Sequence, residues 1–374
     1  MNKKELAELR KLYKPESSAI GLITGCYVDG EKNKKAVFKE RLFALNEEDV
    51  FKYLEILKKG LGGSIGRNLV NVEFPRESES QGSMHELLMG LRDCQLEDAG
   101  LLETFYDTII KNFEISGNYL ILLSSAAYDV PGKTTDDIMM EDASDEVFRF
   151  IQCVICPVEL SKPALSYDEE NRGFSHRIRD WVVEMPVYGL LFPAFTDRSA
   201  DIHAMLMYTK DVKDLRSEMM QSVFGCTTPL PAGEQKNSFA SVLETTLGDE
   251  LKLDDVREIS ESLIEMKEES EQDKDKSAVE IGAGDIRYLM RDTDIGDEKT
   301  DEVVEAFEEI AKDSPILLDN IVSRKTFEVK TESISVKVDA SKSYLVSEKT
   351  IDGKRCIVID TDGEQVEVNG VIVG

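Results

Sequence analysis

Two long apolar runs, Asn118–Ala127 (NYLILLSSAA) and Val147–Val158 (VFRFIQCVICPV), most constrain the fold. Neither alternates strictly between apolar and polar residues, and the second is rich in β-branched and aromatic types. Such runs read as central strands covered on both faces. A chain carrying them needs helices on both sides of a sheet, and the flanking segments supply these. Leu6, Leu9 and Leu12 recur at helical spacing before Pro15. Asn46 caps a helix from Glu47 with Val50, Tyr53, Leu54 and Leu57 on one face, and Ser83 caps another over Met84–Arg92. A longer helix is expected over Leu96–Asn112, burying Leu101, Leu102, Phe105, Ile109 and Ile110.

Further strands are expected around Ile20–Val28, paired with Ala36–Phe43 through the polar turn Asp29–Lys35, and over Leu69–Phe74. Tyr128–Thr135 reads as a turn-rich strand exit, where Asp129, Lys133 and Thr134 are noted. Lys162–Asn171 reads as a proline- and charge-containing connector. Trp181–Met185, Val187–Phe195 and Ile202–Tyr208 carry β signal and form a long hairpin whose apolar faces complete the main sheet. Asp211–Phe224 is expected to be helical and stopped by Gly225.

Residues 249–276 are the most acidic block, with a helical stripe at Val256, Ile259, Leu263 and Met266 that ends near Glu268 in a solvated linker. Asp285 caps a short helix, and Asp297–Lys312 forms another. Five short strands follow, over Phe327–Lys330, Ile334–Val338, Tyr344–Lys349, Arg355–Ile359 and Val366–Val373. Asp352-Gly353 and Asp362-Gly363 are hairpin-turn signals. The reading is therefore α+β: a central mixed sheet flanked by helices, then a helical segment and a small strand-rich C-terminal domain. The expected divisions are a core domain over 1–230, an acidic helical connector over 231–276, and a helical hairpin with a small antiparallel sheet over 277–374.

Composition bears on function through charge. The chain has 74 Asp and Glu against 45 Lys and Arg, a net charge of -29. That opposes a generic basic nucleic-acid footprint and an anionic membrane surface. A local basic face is still available from Lys32, Lys34, Lys35, Lys39 and Arg41 on the first hairpin, together with Lys58, Lys59 and Arg67 near the glycine loop. The six cysteines are scattered through the chain, the pattern of reduced thiols. No signal-peptide core and no spanning apolar run is present, so the cytoplasm is the expected location.

Chemistry-bearing motifs are few. Gly60–Arg67 (GLGGSIGR) lacks the GK[ST] ending of a phosphate loop and follows a helix. Cys153 and Cys156 are spaced CxxC, but a strand points i and i+3 to opposite faces. Three histidines, none at HxxxH or HxH spacing, do not make a zinc centre, and no metal or cofactor is expected. The candidate catalytic residues are Arg177, Asp180, Asp197 and His203, drawn from two polar groups around Trp181 and the later hairpin turn. Arginines suit a phosphate or carboxylate, and a histidine beside a carboxylate can carry a proton.

Five segments carry a resemblance: Asn118–Lys133, Phe150–Asp168 (FIQCVICPVELSKPALSYD), Leu190–Ile202 (LLFPAFTDRSADI), Phe224–Pro229 (FGCTTP) and the ending VEVNG, Val366–Gly370. In these the chain resembles a bacterial family known only as a domain of unknown function. That resemblance carries no catalytic residues to transfer. The Phe224-Gly225 helix end and the strand-rich segment Ser333–Gly370 are also similar to bacterial nucleoid-associated proteins.

The expected function is non-enzymatic binding of a macromolecular partner or a phosphorylated ligand. The alternatives are a nucleic-acid-associated protein, or an enzyme directed at phosphoryl groups or nucleic acid through the Arg/Asp/His cluster. No membrane partner is expected, and the oligomeric state is open.

Overall fold

The computed structural model describes residues 1–17, 19–133, 139–272, 278–312 and 314–373. Two compact units divide the chain, Met1–Pro231 and Ala232–Gly374.

In the first unit α1 (Lys3–Arg10) begins under a capping box. Asn2 accepts from the amides of Lys4 and Glu5, and Glu5 Oε2 accepts from the Asn2 amide at 2.6 Å. β1 (Ile20–Val28) and β2 (Lys34–Arg41) form the first hairpin. Asn46 caps α2 (Glu47–Lys59), which leads to β3 (Leu69–Glu73). Ser83 and Asp98 cap α3 (Met84–Asp93) and α4 (Ala99–Asn112). The two apolar runs become the long strands β4 (Asn118–Lys133) and β5 (Met139–Leu160). After them come β6 (Leu165–Asp168), β7 (Gly173–His176), β8 (Trp181–Val183), β9 (Tyr188–Phe192), β10 (Ala194–Thr196), β11 (Ser199–Asp201) and β12 (Ala204–Thr209). α5 (Ser217–Met219) runs into a π-turn over Met220–Phe224, and Gly225 ends it at φ 66°, a left-handed geometry that suits glycine.

The main sheet has the order β2-β1-β4-β5-β9-β12-β3, with β8 also on β5. Its two faces sort the sequence cleanly. Ile121, Leu123, Ile151, Ile155, Leu190 and Met205 pack with Leu88 and Leu91 of α3 and Phe105 and Ile109 of α4. Leu120, Leu122, Val154, Leu191 and Leu206 pack with Leu6 and Leu9 of α1 and Leu54 and Leu57 of α2. The period of two along each strand thus builds helix, sheet and helix layers.

The α+β architecture is as the sequence indicates, with one difference in strand direction. Every pairing between the described strands is antiparallel, so the expected mixed sheet is an antiparallel one. Continuous apolar runs report burial on both faces, which here comes from two helical layers and not from parallel crossovers. β4 also runs past Tyr128, where a turn was expected. Its pairing continues through Tyr128↔Phe148 and Val130↔Glu146, and Pro131 and Gly132 are absorbed by register shifts. Asp129 and Lys133 therefore lie within β4. Thr134 and the linker residues 273–277 lie outside the described residues.

The second unit holds α6 (Ala232–Leu247), α7 (Leu253–Gln272), α8 (Ala283–Met290), α9 (Asp297–Ala311) and α10 (Leu318–Ile321). Phe239, Leu243, Ile259, Leu263, Leu289 and Phe307 share one core, so the acidic segment contributes two packed helices. Asp285 acts from within the first turn of α8, accepting from the Gly282 amide at 2.8 Å. The tail forms three two-stranded ribbons: β13 (Thr326–Lys330) with β14 (Ser335–Asp339), β15 (Val346–Ile351) with β16 (Lys354–Ile359), and β17 (Val366–Val368) with β18 (Val371–Val373). Asp352-Gly353 closes the second ribbon with two positive φ angles, and Asn369-Gly370 closes the third in the same way. Asp362-Gly363 has the same geometry but joins β16 to β17, which do not pair. No helix among the described residues is long and apolar enough to cross a membrane.

Candidate functional site

β5 does not stop where the sheet does. Its register with β8 runs Val158↔Val183, Glu159↔Val182 and Leu160↔Trp181. Beyond that the Ser161 amide donates to the Asp180 carbonyl at 2.8 Å, and the Arg177 amide donates to the Ala164 carbonyl at 2.8 Å. β6 and β7 then pair from Leu165↔His176 to Asp168↔Gly173. The result is one two-stranded arm continued from the sheet. Arg179 braces its base, donating from Nε to the Ser161 carbonyl at 2.6 Å. At its tip Asp168 accepts from the amides of Glu170 and Asn171, and Arg172 takes a positive φ of 47°. These hydrogen bonds, led by that of the Asn171 side chain, hold the Asp168 carboxyl below the usual carboxylate range.

Directly opposed residues in antiparallel strands point to the same face. Leu165, His176, Tyr167 and Phe174 therefore share one face of the arm, and Ser166 and Ser175 share the other. The first face is apolar and open. Leu165 is 72% exposed, Tyr167 56% and Phe174 73%, and Ile178 at 80% and Trp181 at 57% are open farther along the return strand. Tyr167 and Phe174 touch edge to face at 5.6 Å between centroids. Scattered exposed apolar residues are ordinary, but a run of them on one isolated ribbon is not. Covering any one of these side chains fully is worth roughly 1.5–3 kcal/mol.

Trp181 was expected to bury its face in the main sheet. β8 does pair with β5, but only by its backbone at the arm's root, and the indole stays open.

The four residues expected to act together are divided. Arg177 and Asp180 are exposed at the base of the arm. Asp197 stands at the tip of the β10–β11 hairpin, with Thr196↔Ser199 as the last pair. His203 lies just before β12. β9 ends with Phe192 opposite Ile151, whereas the arm begins beyond Leu160. The intervening length of β5 spans roughly 30 Å at ~3.3 Å per residue. The two pairs thus sit far apart along one strand.

Asp197 and His203 also face different layers. Next to Asp197, Arg198 Nη2 donates to Glu8 Oε1 of α1 and to the Pro131 carbonyl, both at 3.0 Å, and Tyr128 OH donates to the same Glu8 oxygen at 2.6 Å. This half-buried cluster latches the hairpin to α1. Arg198→Ala is expected to lower stability by about 2 kcal/mol in urea unfolding, because Glu8 keeps its burial and loses a charged donor.

His203 Nδ1 instead lies 2.6 Å from Glu79 Oε1, in the 3-10 turn before α3. The Glu79 carboxylate raises the His203 pKa and is itself lowered by the imidazole. The stabilisation is fully present below the ordinary histidine value of 6.5 and fades as pH rises through the raised value of His203. At the acid end it is lost as pH falls through the lowered value of Glu79. An NMR titration should place the His203 midpoint above 6.5, and Glu79→Gln should bring it back toward that value.

The other motifs resolve into structure. Arg10 donates from Nε to the Leu61 carbonyl at 2.8 Å and from Nη2 to Gly63 at 2.9 Å, tying the glycine loop to α1. Cys153 and Cys156 point to opposite faces of the sheet, and burial raises both thiols, Cys156 to about 12. Lys32, Lys34 and Lys39 pair with Glu114, Glu103 and Glu97 in and beside α4, and Lys35 pairs with Asp29. Those lysines fasten the first hairpin, while α2, which carries Lys58 and Lys59, packs on the other face. Among the described residues no three His, Cys, Asp or Glu side chains form a metal-ligating group. In the second unit, a cavity of about 420 Å³ is lined by Val256, Leu263, Phe327, Lys236, Glu261 and Glu328, among others. Both of its carboxylates are engaged, Glu261 with Ser343 and Glu328 with Ser335.

Residues 1–371 match the family described as domain of unknown function DUF4317. The chain belongs to that family. No curated protein matches it in sequence. Any functional reading of this DUF4317 chain therefore rests on its own geometry. The arm is the feature that sequence reasoning missed. Its signal is the alternation of Leu165 and Tyr167, inside the expected connector Lys162–Asn171, with Phe174 and His176 just beyond it.

Proposed function

We propose that this chain is a bacterial, cytoplasmic interaction protein that is not an enzyme and that grips a protein surface through its arm. The observation that carries this reading is the open apolar face of Leu165, Tyr167 and Phe174 on a ribbon built out from the main sheet. A two-stranded ribbon alone is marginal in water, so an exposed apolar face on one is a docking element awaiting cover. The arm also carries both charges, with Arg177 and Arg179 at the base and Glu169 and Glu170 at the tip. Mixed charge around an apolar centre is the pattern of a protein interface rim. The division of Arg177 and Asp180 from Asp197 and His203 weighs against the enzyme reading, which needed all four in one cleft.

Site-specific photocross-linking in living cells tests the proposal. A benzophenone side chain at Tyr167 should give a protein adduct, and the same group at Ser166, on the opposite face, should give little. An adduct with nucleic acid at Tyr167 would replace this reading with the nucleic-acid-associated one. Equal labelling at both positions, or none at either, would contradict it.

A further inference from the structure

The cavity of the second unit is built from several elements. α7 presents Val256, Ser260, Leu263 and Ile264, a stripe at helical spacing. Ile321 comes from the end of α10, Lys236 from α6, and Phe327, Glu328 and Lys330 from β13. The volume of about 420 Å³ lies within the range of small-molecule sites. It is well above the ~150 Å³ of a cavity that takes up benzene.

Its lining is divided by polarity. Leu263, Ile321, Phe327 and Ala340 are buried and apolar, and the one buried hydroxyl among them, that of Ser343, donates to Glu261 at 2.7 Å. Toward solvent the lining is polar apart from Val256, with Lys236, Lys330, Glu261 and Glu328 all exposed. The two signs of charge at this rim are in different states. Glu261 is held by Ser343, and Glu328 accepts from Ser335 at 2.9 Å and pairs with Lys337 at 3.5 Å. Neither the Lys236 nor the Lys330 ammonium forms an ion pair or hydrogen bond among the described residues. Lys330 acts on Glu328 only from beyond ion-pair reach.

An apolar interior with two unneutralised ammonium groups at its rim fits an anionic head on an apolar body. The two carboxylates that share the rim disfavour a doubly charged phosphate, so the head is a monoanion. We infer that this cavity binds a small amphipathic carboxylate, its apolar body against Leu263, Ile321 and Phe327 and its head at Lys236 and Lys330. The site lies wholly within the second unit and stands independently of the arm.

Isothermal titration calorimetry of the full chain with octanoate tests this. Saturable binding is expected with a Kd on the order of 100 μM, weakening as salt rises because the ammonium groups are exposed. Acetate lacks the apolar body and octylammonium reverses the head, so neither should bind measurably. Lys236→Glu and Lys330→Glu should each weaken octanoate about fivefold. Ser260→Trp, at a half-buried lining position, should fill the cavity and abolish binding, with an unchanged thermal midpoint as the folding control. Phe174→Ser, on the arm, should leave the affinity as it is. Equal affinity for octanoate and octylammonium, or no saturable heat up to about 10 mM octanoate, overturns the inference. Binding that survives Ser260→Trp, or that is lost in Phe174→Ser, overturns it as well. If Ser260→Trp lowers the midpoint, the lysine variants decide, and an affinity unmoved by both overturns the inference.

Discussion

Phe192→Ala lowers the unfolding free energy of the first unit by about 3–5 kcal/mol. Phe192 is fully buried at the end of β9, opposite Ile151 of β5. Its ring meets Phe74 and His85 edge on, with centroids 5.8 and 5.6 Å away. His85 is itself buried, and its Nε2 lies 2.8 Å from the Ile202 carbonyl. A carbonyl only accepts, so Nε2 carries the proton and the ring is fixed in one orientation. Neighbours fixed in this way collapse poorly into a void, which places the substitution toward the upper part of the range. Phe192→Leu keeps most of the volume and should lose less than half as much. Urea unfolding followed by circular dichroism gives both values. A loss under about 1 kcal/mol for alanine would mean that the ring is not packed as described.

Asp319→Ala has a comparable effect in the second unit. Lys267 is buried on α7, and its ammonium pairs with Asp319 of α10, while Glu271 stands 3.8 Å away. Removing Asp319 takes from a buried ammonium the carboxylate it pairs with, a change that costs about 3 kcal/mol. Lys267→Met in the same background removes the stranded charge and keeps the apolar stem, so the double variant should recover much of the loss. Had the pair acted only as surface decoration, both single changes would fall within about 0.5 kcal/mol.

Much of the fold was legible because it follows from local rules. Asn46 and Ser83 cap the helices expected of them, and the runs around Leu122 and Val154 are the central strands. The opposite faces taken by Cys153 and Cys156 follow from strand periodicity alone. Strand direction was not legible, because burial on both faces looks alike whether its cover comes from parallel crossovers or from separate helical layers. The continuation of β4 through Pro131 and Gly132 was hidden for another reason. Local turn chemistry pointed to a stop, and pairing with β5 overrode it.

The site was less legible than the fold. Arg177, Asp180, Asp197 and His203 stand close in sequence, and the 30 Å estimated between the pairs comes from the path of the chain along β5 and back, which spacing does not record. The arm failed for the opposite reason. Its alternating residues are visible in the sequence, but proline and charge around them mark a connector, and only exposure in three dimensions separates a docking face from a core strand. The basic first hairpin shows the same limit: Lys34 and Lys39 look like a ligand patch until α4 supplies Glu103 and the loop before it supplies Glu97.

Trp181 is the sole tryptophan of the chain, and it stands 57% exposed at the root of the arm. Acrylamide quenching of its fluorescence therefore reports whether the root of the arm stands open, with no labelling and no substitution. Quenching should be efficient in dilute protein, because an indole more than half exposed is open to a small neutral quencher. Quenching that stays low even at high dilution would show the indole already buried within a single chain. That result would contradict the account.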